Sequence, residues 1–105
     1  CAGVLAEHYT VLGGDVHYIG KPHEAVFARC QKTLGITKSN RILMVGDNLE
    51  TDILGANRFG CHSLLVSSGV HALLDRGNRV NLSRLDELES AFGARGDYVI
   101  DNLRW

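Results

Sequence analysis

Apolar positions change period along this chain, and the changes mark out its elements. Residues 2–12 carry Ala, Val and Leu at helical spacing until Gly13 and Gly14 stop them. The run Val16-His17-Tyr18-Ile19 is β-branched and aromatic, which predicts a short strand. Pro22 suits the first turn of a helix. That helix is predicted over 23–34, with Ala25, Val26, Arg29, Cys30 and Leu34 near one face and Gly35 as its stop. The run over 41–45 is apolar without alternation after Arg41, the pattern of a strand covered on both faces, and Gly46-Asp47 ends it. Residues 51–59 fit a helix with Asn48 or Thr51 as its cap and Gly60 as its stop. A second strand of the same kind spans 62–67, closed by Ser68-Gly69. A helix over 83–93 follows, with Ser83 as its cap, and a last strand over 97–101. Residues 70–82 are the least patterned and read as a surface excursion.

Strands and helices therefore alternate. Alternation of this kind implies βαβ units and the α/β class: a three-layer, Rossmann-like parallel sheet with helices on both faces. At 105 residues the chain is one domain at most. The 11 Lys+Arg against 12 Asp+Glu leave a net charge of −1, with no basic stripe for nucleic acid or for a membrane surface. No apolar run approaches the roughly 18 residues of a membrane span. Cys1, Cys30 and Cys61 are neither an even disulfide set nor a close zinc-binding group. They read as reduced thiols of a cytoplasmic protein.

Open parallel sheets bind ligands beyond the carboxyl ends of their strands. The strand over 41–45 delivers Gly46-Asp47-Asn48 to that edge, and Asp52 follows at the start of the next helix. Two carboxylates converging there suit a hard cation, and Mg²⁺ takes few protein carboxylates with water and phosphate. Asp52 equally suits the positive end of a helix dipole, and Asp47 equally suits a turn. Lys21 stands at a helix N-terminus, where its charge opposes the dipole. An amine and a helix N-terminus attract the same anion, so Lys21 is a candidate phosphate clamp as well as an ordinary surface lysine. His23 follows Lys21-Pro22 and could line the same pocket. The spacing of His8, His17, His23, His62 and His71 offers no metal-ligand pair, and all five read as structural or surface residues. Cys30 and Cys61 read as small core residues.

Gly20-Lys21-Pro22, followed by Met44-Val45-Gly46-Asp47-Asn48-Leu49-Glu50-Thr51-Asp52, resembles the haloacid dehalogenase (HAD) superfamily of phosphohydrolases. The lysine looks like its third motif, and Gly46-Asp47 with Asp52 looks like its fourth. Thr51-Asp52-Ile53-x-Gly55-Ala56, then Leu64-Leu65-Val66-x-Ser68-Gly69-Val70, is similar to the class IIA subgroup of p-nitrophenyl, phosphoglycolate and nucleotide phosphatases. Asp97 to Leu103 looks like that subgroup's end.

The resemblance implies a phosphatase that forms an aspartyl-phosphate on a small phosphate ester, with Mg²⁺ offsetting charge. Lys21 then holds the phosphoryl group, Asp47 ligates Mg²⁺, Asp52 supports the metal, and Pro22 and Asn48 line the phosphate pocket. The family's nucleophile, an Asp-x-Asp after an early strand, does not occur in this sequence. Neither its Ser/Thr motif nor its cap domain can be placed. The resemblance thus covers the C-terminal half of a HAD core, residues 1–105 as one partial domain, with residues 1–15 as linker or cap tail. Such a segment is expected to be inactive alone, and to self-associate or pair with the missing N-terminal part. The start at Cys1 fits a truncated or processed chain, or a non-catalytic relative that lost the nucleophile. A receiver-like phosphate- or metal-binding module is the other alternative, although there the acidic residues precede the lysine.

Overall fold

Three strands, β1 (Leu43–Gly46), β2 (His62–Val66) and β3 (Tyr98–Ile100), form a parallel sheet in the order β1-β2-β3. They belong to a computed structural model that describes residues 2–104. Four helices accompany them: α1 (Ala2–Val11), α2 (Glu24–Thr33), α3 (Leu54–Phe59) and α4 (Leu82–Phe92). Leu43 pairs with His62, and Leu64 with Tyr98. The α/β class and the parallel pairing of the two strongest apolar runs are as the sequence predicts.

The sheet buries its two faces unequally. Side chains alternate along a strand, and partners in register point the same way. Met44, Ser63, Leu65 and Val99 therefore share one face, and Leu43, Val45, Leu64 and Tyr98 share the other. The first face carries both apolar clusters. One holds Leu49, Ile53, Leu65, Leu73, Leu85 and Ala94, with Val99 packed against it. The second holds Phe27, Ala56 and Cys61, with Ile42 and Met44 against it. These clusters bring α2, α3 and α4 onto the same side of the sheet. The connectivity explains it for α3 and α4: two consecutive crossovers step across the sheet in one direction, and crossovers of one hand place their helices on one face. On the opposite face Leu43 and Val45 are 49% and 39% exposed, and Tyr98 is exposed too. Helix α1 is apolar yet contributes no buried residue.

Several local expectations change. Residues 16–19 form no strand, and Tyr18 and Ile19 are exposed. Strand propensity acts through neighbours, and no described strand lies beside this run. Pro22 lies one residue before His23, the cap of α2, and so outside the helix proper. The helix expected at 51–59 begins earlier, as a π-helical turn over Leu49–Ile53 that leads into α3. Asn48 is its cap, because its Oδ1 accepts the Glu50 N–H at 2.9 Å. The cap of α4 is Asn81 rather than Ser83: Asn81 Oδ1 accepts the Arg84 N–H at 3.0 Å. Cys61 is a core residue, but Cys30 is exposed on α2. Residues 70–82 are partly packed. Leu73 is fully buried, Leu74 and Val80 form an antiparallel bridge, and Asp75 accepts the Gly77 and Arg79 N–H groups. No helix among the described residues is long and apolar enough to cross a membrane.

Candidate functional site

Lys21, Asn48 and Asp52 meet beyond the carboxyl end of β1, and Asp47 stands in the loop that leaves that end. Gly46 is the last residue of the strand and has no room for a side chain, because the Asp52 carboxyl group occupies the space a Cβ would need. The glycine thus lets Asp52 fold back over the strand end. Asp52 is buried, yet both its oxygens are partnered. Oδ1 takes the Lys21 ammonium in a close ion pair, and Oδ2 accepts the Asn48 N–H at 3.2 Å. A buried carboxylate is tolerated only with such partners.

Lys21 reaches this point from the turn before α2. The His23 N–H donates to the Gly20 carbonyl at 3.0 Å, which closes that turn. The close approach of α2 to α3 brings the turn near. Gly55 of α3 lies against the Phe27 ring and the Pro22 Cα, at distances only a glycine allows. Lys21 remains half-exposed, so its ammonium faces both Asp52 and solvent. Beside it opens a cleft of about 810 Å³, lined by Tyr18, Lys21, His23, Glu50, Thr51 and Arg58 among others. The His23 ring stacks on Tyr18 with centroids 5.0 Å apart.

Asp47 follows Gly46 directly. Its Oδ2 accepts the Val70 N–H at 3.2 Å, and its carboxyl group fills the space that a Cβ at Gly69 would take. Its other oxygen has no partner among the described residues and is available to a ligand. The Asn48 side chain is committed to capping. Donor chemistry thus divides the two acids. Asp47 offers an oxygen to a hard cation, whereas Asp52 is engaged by Lys21 and backbone. Among the described residues no three His, Cys, Asp or Glu side chains group to enclose a metal. A cation such as Mg²⁺, which keeps several waters, fits Asp47 with oxygens from water and phosphate.

In the sequence His71 reads only as a structural or surface residue. Its Nε2 accepts the Leu49 N–H at 3.0 Å, and its ring lies 5.4 Å from that of Phe92. A lone histidine in an unpatterned stretch carries no spacing signal that could have flagged it. Asp97 enters the sequence reading only as the start of the family-like stretch Asp97 to Leu103. It accepts from the Ser63 N–H and hydroxyl at 2.8 and 3.1 Å, a tie between the starts of β2 and β3, at the edge of the sheet away from Asp47.

A family profile for HAD-hydrolase-like proteins matches residues 18–105. The chain belongs to that family. Its fold also matches solved HAD-type phosphatases. A p-nitrophenyl phosphatase from Archaeoglobus fulgidus aligns with 95% of the chain at TM-score 0.73 and 25% identity. NagD from E. coli K-12 aligns with 94% at TM-score 0.68 and 27% identity. Phosphoglycolate phosphatase 2 of Arabidopsis thaliana is 42% identical over 65 residues, which is 59% of this chain. The chain spans 21% of that plant protein and 35% and 34% of the two solved structures.

Proposed function

We propose that this chain is the lysine- and metal-bearing part of a class IIA HAD-type phosphatase acting on a small phosphate ester. The observation that carries the reading is the Lys21–Asp52–Asn48 network beside the free oxygen of Asp47, at the carboxyl edge of a parallel sheet. Phosphoryl transfer depends on positioning and charge neutralisation more than on covalent help from the protein. Lys21, held by Asp52, presents an ammonium to phosphoryl oxygens, with Pro22 fixing its turn. Asp47 would hold Mg²⁺, and Asp52 would support that arrangement by orienting Asn48 and Lys21. Bound there, the cation would neutralise phosphate and nucleophile charge together.

The phosphoryl group would pass to an aspartate that these 105 residues do not supply, and water would then release it. The names of the relatives support a phosphate monoester as substrate. They leave the alcohol it carries to whatever borders the cleft at Tyr18 and His23. The half-exposed sheet face, with Leu43 and Val45, supports packing against the remainder of a HAD core or against a second copy. Residues 1–15 fit the linker from a cap. The unpaired thiols of Cys30 and Cys61 fit a reducing compartment such as the cytoplasm.

The test is p-nitrophenyl phosphate hydrolysis by the intact protein carrying this chain, with and without Mg²⁺. Lys21→Ala and Asp47→Asn should each lower kcat/KM by about 100-fold or more. The 105-residue chain by itself should give no turnover. Full activity in Asp47→Asn would overturn the metal assignment, and turnover by the chain alone would overturn the external nucleophile.

A further inference from the structure

Two loops meet at the carboxyl edge of the sheet, and one clamps the other. The first loop, Asp47 to Leu49, leaves β1. The second, Gly69 to Ala72, leaves β2, and the Ala72 N–H donating to the Gly69 carbonyl at 3.0 Å closes it. They are joined at two points. The Val70 N–H donates to Asp47 Oδ2 at 3.2 Å, and the Leu49 N–H donates to His71 Nε2 at 3.0 Å. Gly69 adds a steric part, since the Asp47 carboxyl group lies where its Cβ would be.

The Leu49 N–H is the first of the π-helical turn and has no partner within that turn, so it needs an outside acceptor. A backbone N–H can only donate. His71 Nε2 is therefore the acceptor of this bond. The ring is half-buried against Phe92, which limits its rotation. Ala72, the next residue, has φ +46°, a left-handed conformation that alanine adopts at a cost. The surrounding structure holds the turn in this shape, with His71 aimed at Leu49.

We propose that His71 is a positioning residue for Asp47. By fixing the backbone at Leu49 it holds the 47–49 loop against the 69–72 turn, and so sets the direction of the Asp47 carboxylate. Its function in catalysis rests on the reading of Asp47 as the Mg²⁺ ligand. Groups that orient a metal ligand typically change metal affinity by about 10–100-fold when removed.

The test compares His71→Phe, which keeps a ring beside Phe92 but has no acceptor, with His71→Gln, whose amide oxygen can accept from Leu49. Both are made in the intact protein with ¹⁵N-labelled leucine and valine. Without metal, the Leu49 and Val70 amide protons should both lose exchange protection in His71→Phe, and both should regain it in His71→Gln. With p-nitrophenyl phosphate as substrate, the Mg²⁺ concentration for half-maximal rate should rise about tenfold in His71→Phe and stay near wild type in His71→Gln. A Val70 amide that stays protected in His71→Phe overturns the proposal, because Asp47 would then hold its place unaided. Equal effects of Phe and Gln on both readouts also overturn it. Loss of Val70 protection without any Mg²⁺ dependence in the wild type would leave the positioning intact and refute the metal reading instead.

Discussion

The two faces of the sheet are built from the same kind of sequence and end in different states. β1 and β2 are both continuous apolar runs. On one face Leu65 is completely buried beneath α4, the π-helical turn and the 70–82 segment. On the other face Val45, which lies beside Leu64, is 39% exposed. The difference lies in what the crossovers supply, since both connecting helices are delivered to the same side. An apolar run records that a strand is meant to be covered; it does not say by which part of the chain. The candidate site lies at the end of this boundary, where Asp47 follows the half-open strand β1 and Asp52 folds back over its last residue.

The largest effect should come from the covered face. Leu65→Ala removes a fully buried side chain and should cost about 2–5 kcal/mol, the range for such core truncations. Val45→Ala should cost less than about 1 kcal/mol, because its side chain is already partly in water. Urea unfolding of the 105-residue chain measures both. Equal losses would break the comparison, and would mean that the second face is covered in solution, for example by another copy.

How far the sequence could be read follows the same division. Strands β1 and β2 were legible because their apolar runs are long and glycines bound them. Lys21, Asp47 and Asp52 stand out as candidates in the sequence because each sits near an element boundary where a charge is unusual or useful. The expected strand at 16–19 failed because strand formation depends on a partner that residue patterning cannot reveal. The cap of α4 was misplaced by two residues because Asn81 and Ser83 are both good caps, and only the start of the helical backbone chooses between them. The role of His71 was illegible because it depends on a contact between residues 22 positions apart.

A smaller effect should appear where α2 meets α3. A Cβ at Gly55 would lie 2.6 Å from the Phe27 ring and 3.2 Å from the Pro22 Cα. Gly55→Ala must therefore push α2 outward, and overpacking of this kind typically costs about 1–3 kcal/mol. The displaced Pro22 would carry Lys21 away from Asp52. The expected result is a lower unfolding midpoint together with a Lys21 side chain that exchanges faster on the NMR timescale. A stable variant with an unchanged Lys21 would show that the helix contact does not position the lysine.

The smallest effect sharpens the comparison through two cysteines. Cys61 is buried in the cluster with Phe27 and Ala56, whereas Cys30 is exposed on α2. Burial pushes the Cys61 thiol up from its ordinary value, with the Asp97 carboxylate adding to the rise and backbone hydrogen bonds opposing it. A folded value above the unfolded one leaves the contribution of the protonated thiol intact below about pH 8.5, the ordinary thiol value, and removes it as the pH climbs toward the raised folded value. Stability of the chain should therefore decline slightly as the pH rises past the ordinary thiol range toward the raised folded value, and Cys61→Ala should abolish that part of the decline. Iodoacetamide at pH 8, followed by peptide mass spectrometry, should label Cys30 in the native protein and Cys61 only after urea is added. The thiolate is the reacting form, so access and protonation act together to protect Cys61. Labelling of both at one rate would mean that the cluster beneath α2 and α3 opens readily, so that the burial of Cys61 in the resting structure does not protect it.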